Sequence, residues 1–149
     1  MKKMTSNGYE IYYDEASGEA VGIVYNNLVF LKTVSERRMD WDDAVEYCKT
    51  IVINGIMAEL CPVTKNWRSE ISAVYSGLQR ALKEIGAEKS DCCTWCCDCD
   101  SSKLHSCIET FYPWSKMYYA WVQSFENGNV IDTRKHDSFY VRPVLVLKR

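Results

Sequence analysis

Lysine and arginine nowhere gather into a run, and 18 of them stand against 20 aspartate and glutamate residues for a net charge of −2. A groove lined with base-tracking cations, the footprint of nucleic-acid binding, is excluded on those grounds. No stretch of about 18 consecutive apolar residues occurs, so no transmembrane helix is expected. The start, Met1-Lys2-Lys3-Met4-Thr5-Ser6, is charged but has no apolar core behind it. No signal peptide is therefore expected, and a cytoplasmic or virion-associated location follows. Histidine is scarce too, with only His105 and His136 in the chain. Both fall in segments of exposed character, which leaves a cysteine nucleophile without a well-placed base.

What is present is apolar and aromatic. A hydrophobic content of 47% over 149 residues argues against disorder and for one domain spanning the chain, with a single core. Glu10 to Tyr13 and Val21 to Val34 read as strands, with turns at Asp14 to Gly18 and at Asn26-Asn27. The period then changes. Trp41, Ala44, Val45, Cys48, Ile51 and Val52 recur at helical spacing behind Asp40 as N-cap, with Asn54-Gly55 as the stop.

A second helix carries Trp67, Ile71, Val74, Tyr75, Leu78, Leu82 and Ile85 on one face, capped by Thr64 or Asn66 and closed by Gly86. Glu88 to Pro113 has no period and reads as irregular. Strands return at Tyr118 to Phe125, Val130 to Thr133 and Tyr140 to Leu147, with a hairpin turn at Asn127-Gly128. Pro143 needs an edge or a bulge. Strands, two helices, then a terminal meander describe an α+β domain with its helices segregated.

Eight cysteines are unevenly placed: Cys48 and Cys61 stand alone in apolar segments, and the rest crowd between Cys92 and Cys107. Paired C-x-x-C spacings in that cluster are compatible with a thiolate-bound zinc ion or a redox module. Doubled cysteines, however, send neighbouring side chains along divergent vectors, and their spacing fits no familiar four-ligand finger. Incidental thiols or local disulfides are the simpler reading, and no metal or other cofactor is expected. Calcium would need converging oxygens. The nearest cluster, Glu126-Asn127-Gly128-Asn129, reads more simply as a turn.

The remaining pattern resembles the C-type-lectin-like fold in its bacterial form, the group of collagen-like adhesins and formylglycine-generating enzymes. The resemblance rests on Trp41-x-x-Ala44-x-x-x-Cys48, on Gly55 to Trp67, on Trp95, on Ala120-Trp121, on Phe125-x-x-Gly128 and on Tyr140-Val141-Arg142-Pro143-Val144. It covers about Gly22 to Leu147 and implies two helices packed against short antiparallel sheets. In this chain Cys61, Val63, Asn66 and Trp67 replace the family's usual Leu, Thr, Glu and Leu. A C-C-D-C stretch follows Trp95 where the family has S-S-T-E. The catalytic surroundings of the enzymes in this group do not map onto the sequence, so the resemblance implies no enzyme.

One branch is especially similar: the variable proteins of diversity-generating retroelements, often carried by phages. Randomised template adenines turn an AAC codon into many residues but never into Lys, Glu, Gln, Met or Trp. From Ile131 to Tyr140 only Lys135 lies outside the reachable set, and from Ser90 to Ser102 only Trp95 does.

The resemblance implies a hypervariable surface at about 90–140 that binds a protein or glycan ligand on a target surface. Its contact residues are expected to be Thr94, Cys96, Asp98, Asp100, Tyr112, Trp114, Tyr118, Glu126, Asn127 and Asn129, followed by Ile131, Asp132, Thr133, Arg134, His136, Asp137, Ser138 and Phe139. Aromatic rings would supply rigid area there, and Asp132, Arg134, His136 and Asp137 charge-assisted hydrogen bonds. Trp95, Trp121, Phe125 and Val141 are assigned to the framework, and Arg142 to hydrogen bonding beneath the sheet. The alternatives are the cysteine-cluster metal or redox module and an adhesin domain of the same fold without diversification. Neither a monomer nor a compact oligomer is favoured.

Overall fold

The computed structural model describes residues 3–63, 67–89, 92–98 and 118–147, with the backbone alone at 68, 97 and 98. Within them the protein is mixed α+β. Three strands come first, β1 (Glu10–Tyr13), β2 (Ala20–Tyr25) and β3 (Leu28–Leu31), followed by α1 (Trp41–Lys49). A small hairpin of β4 (Val52–Ile53) and β5 (Ile56–Met57) leads to α2 (Trp67–Glu84). Then come β6 (Cys93–Asp98), β7 (Tyr119–Ser124), β8 (Val130–Arg134) and β9 (Val144–Val146). The strands form a four-stranded sheet in the order β1-β2-β3-β9, the β4-β5 pair, and a three-stranded sheet β6-β7-β8, every pairing antiparallel.

Capping fixes one end of each helix. At the N-cap of α1, the Asp40 carboxylate accepts the Asp43 N–H at 2.9 Å, and Asp42 and Asp43 face the positive end of the helix dipole. Asp40→Ala is expected to cost about 1 kcal/mol, read as a lower urea midpoint with an unchanged slope. At the far end of α2, Gly86 sits at φ +89° and its N–H donates to the Lys83 carbonyl, while the Ala87 N–H donates to Leu82. That pair of bonds is a Schellman closure, and glycine carries its left-handed residue without a Cβ penalty.

Three boundaries differ from the sequence reading. First, α1 stops at Lys49, and Asn54-Gly55 is the turn of the β4-β5 hairpin. Ile51 and Val52 therefore leave the helix, and Val52 is exposed. Their helical spacing was fortuitous, since a two-residue strand is too short to show its own period. Second, part of the segment expected to be irregular is β6, which shows no alternation because Thr94, Trp95 and Cys96 are buried in succession. Third, the last strand is three residues, and Pro143 precedes it at the edge of its sheet, where its carbonyl accepts the Leu31 N–H at 3.2 Å.

The alternation along β7 sets the core. Ala120 and Val122 pack with Trp95, Val141, Leu60 and the Ala44–Cys48 face of α1. Trp121 and Phe125 point the other way, into the cluster of Trp67, Ile71, Leu78 and Leu82 on α2 and Ile23, Leu28 and Phe30 on the first sheet. The middle strand of the smaller sheet is therefore buried on both faces. Trp95, Trp121, Phe125 and Val141, assigned to the framework from sequence, are all 0% exposed.

Candidate functional site

The terminal hairpin grows from this framework. Ser124 and Asn129 close it, the Ser124 N–H donating to the Asn129 carbonyl at 2.9 Å and the Gly128 N–H donating back to Ser124. Four residues, Phe125 to Gly128, make the loop, so this is not a two-residue Asn-Gly turn. Gly128 takes φ +75°, and the Asn127 side chain accepts the Asn129 N–H at 3.0 Å. Beyond β8 the chain is pinned twice to its neighbours: the Lys135 N–H donates to Tyr118 at 2.7 Å, and the Trp41 N–H donates to the Lys135 carbonyl at 2.9 Å. The Lys135 ammonium lies 4.1 Å from the centre of the Trp41 ring. Thr133 closes the bend by donating to the Asp137 carboxylate at 2.7 Å.

Many of the sequence-derived contact residues are exposed. Glu126, Asn127, Asn129, Arg134, His136 and Ser138 face solvent, as do Tyr118 and Ile131, which are more than half exposed. Asp132, Thr133 and Asp137 are half-buried.

Three residues occupy other places. Thr94 and Cys96 are 0% exposed, as is Trp95 between them, because β6 is covered on both faces over these three residues. They pack the interior and do not reach a surface ligand. Phe139 is half-buried edge-on against Trp95, ring centres 5.1 Å apart, and belongs to the α1 side of the core. Asp98 is described only as backbone in β6, and Asp100, Tyr112 and Trp114 lie outside the described residues, as do His105 and Cys107. Among the described residues no three His, Cys, Asp or Glu side chains gather to hold a metal ion, and no helix is long and apolar enough to cross a membrane.

The exposed residues do not form one patch. In an antiparallel pair, directly opposed residues share a face. Asp132 opposes Trp121 and Arg134 opposes Tyr119, whereas Ile131 opposes Val122 and Thr133 opposes Ala120. Consecutive residues of β8 therefore project from opposite sides of the sheet.

Two depressions adjoin the predicted contact residues. Tyr118, Tyr119, Arg134 and His136 line one of about 270 Å³. The other, about 330 Å³, lies between Arg38, Cys92, Cys93, Glu126, Ser138, Phe139 and Tyr140, so Phe139, though packed on Trp95, also borders it. Tyr140 is bracketed by two cations, the Arg38 guanidinium and the Lys89 ammonium, each 5.4 Å from its ring centre. Sequence reasoning missed Arg38, Lys89 and Tyr119. They sit in three separate segments, and only the fold brings the first two to one tyrosine.

Beside the second depression, Arg142 is 1% exposed and ties β3 to the segment that precedes β6. Its Nη1 donates to the Leu31 carbonyl and its Nη2 to Lys89 at 3.1 Å, which is the structural role expected of it. Burial lowers its pKa to about 10, against an opposing contribution from Cys92, so it remains a cation at neutral pH. Compared with protein-family models the chain matches none, and no curated protein matches it.

Proposed function

We propose that this is a non-catalytic ligand-binding protein of the C-type-lectin-like fold, of the kind diversified by retroelements, with the terminal hairpin as its recognition surface. The observation that carries the reading is a separation of roles within one short segment. The framework residues Trp121, Phe125 and Val141 are fully buried. Ile131, Arg134, His136 and Ser138, between them in sequence, are exposed. A surface built this way tolerates substitution, because the varied side chains add little to the core.

The depression of Tyr118, Tyr119, Arg134 and His136 is the favoured contact point. Two tyrosines offer rigid area, and an arginine and a histidine offer directional donors. A protein or glycan epitope is the ligand class such a mixture suits.

Two experiments test this. Ile131, Arg134, His136 and Ser138 changed together to alanine are expected to shift stability by no more than about 1 kcal/mol; a loss of several kcal/mol would place these residues in the fold and remove the reading. Sequencing the DNA around the gene tests diversification itself. A near-copy of the codons for 126–140 beside a reverse transcriptase is expected, and their absence would remove diversification while leaving ligand binding open.

A further inference from the structure

Arg142 is a buried cation that forms an ion pair with no carboxylate among the described residues. Its guanidinium donates to the backbone carbonyls of Leu31, Glu88 and Lys89, and its Nε–H finds no acceptor among the described residues. An uncompensated charge in such a place is costly, so a neighbour able to become an anion is favoured there.

Cys92 is that neighbour. Its N–H donates at 3.2 Å to the same Lys89 carbonyl that holds the arginine. Its carbonyl accepts the N–H of Phe125, whose ring centre is 5.8 Å from the guanidinium carbon. These anchors bring Cys92 beside the guanidinium through the shared Lys89 carbonyl, close enough for its thiol to bear on the arginine's charge. Cys92 also lines the 330 Å³ depression, where Arg38 adds a second positive charge and Glu126 one negative charge. A thiol in an electropositive, partly open site is held toward its nucleophilic thiolate form. Cys48 provides the contrast: it is 1% exposed, and burial pushes its thiol up to about 12.

We propose that Cys92 is a modification site, a thiolate stabilised by Arg142 and reached through the depression beside Arg38 and Tyr140, which reacts with small hydroperoxides. The sulfur attacks the terminal hydroxyl oxygen of the peroxide, so an S–O bond forms as the O–O bond breaks. Sulfur loses two electrons and becomes a sulfenic acid, and the departing hydroxide or alkoxide takes a proton from water. Cys92 itself is not among the contact residues of the ligand-binding reading, although the depression it opens on is shared with Glu126, Ser138 and Phe139, which are; the thiol chemistry is tested without any ligand.

The test uses the full, reduced chain at pH 7. With iodoacetamide, followed residue by residue by peptide mass spectrometry, Cys92 is expected to react on the order of tenfold faster in the folded protein than in urea. Cys48 is expected to react only after unfolding. After mild hydrogen peroxide, dimedone is expected to mark Cys92 before Cys93. Arg142→Gln is expected to remove the rate advantage and Arg142→Lys to retain part of it. The comparison of folded with unfolded wild-type protein decides the matter even if neither variant folds. Cys92 reacting no faster in the folded chain, or dimedone appearing first on Cys93, overturns the proposal.

Discussion

Trp121→Ala is expected to destabilise the protein by about 3–5 kcal/mol, a large share of the roughly 5–15 kcal/mol that holds a typical domain folded. Trp121 is 0% exposed and lies at the middle of β7, in the cluster that joins α2 to both large sheets. Its neighbours there cannot collapse into the space, because they are held by their own elements. Phe125 is fixed edge-on to Phe30, ring centres 5.7 Å apart, and the Phe30 ring is stacked on Trp67 at 6.3 Å. Trp67 in turn donates its indole N–H to the Gln123 side chain at 2.9 Å. The control is Ile131→Ala on the adjoining strand. Ile131 is 53% exposed, and a change within about 0.5 kcal/mol is expected. Urea unfolding of both variants measures the contrast, and comparable costs at the two positions would contradict the division between framework and display surface.

Gly128→Ala is the second large effect, about 2–5 kcal/mol, from two separable causes. Its φ of +75° costs an L-residue about 1–2 kcal/mol. A Cβ at this position would also lie 2.5 Å from Cδ1 and 2.9 Å from Cε1 of Tyr75, on α2. Those atoms belong to a rigid ring on a helix, so overpacking adds about 1–3 kcal/mol. Combining Gly128→Ala with Tyr75→Ala separates the two. The clash should vanish in the double variant, giving a coupling of at least about 1 kcal/mol, while the backbone cost persists. A Gly128→Ala cost below about 1 kcal/mol would mean that the hairpin loop does not rest on α2 as described.

The sequence disclosed the helices and the framework because both leave periodic or bulky apolar marks. Trp67, Ile71, Leu78 and Leu82 recur on one helix face and are all buried. Trp95 and Trp121 are too large and apolar to be left in water at low cost. What could not be read was the burial of Thr94 and Cys96. A strand covered on both faces has no alternation to betray it, and small or polar side chains within it look like surface. Nor could sequence reveal which side of the sheet each hairpin residue takes. That depends on register, which a one-residue slip would invert. The Arg142–Cys92 contact was hidden for a related reason: the two residues are far apart in sequence, and each is ordinary in its own neighbourhood.

The opposed faces of β8 carry a consequence for repertoire size. If this segment is one draw from many, a ligand docking on the Tyr119 side of the sheet meets Arg134 and Asp132 but not Thr133 or Ile131. Two variants that differ only at 131 or 133 would then be synonyms to that ligand. The number of distinguishable binders would be nearer the square root of the number of distinct strands than the number itself. The same strand would also present a second, independently sampled face to a different target.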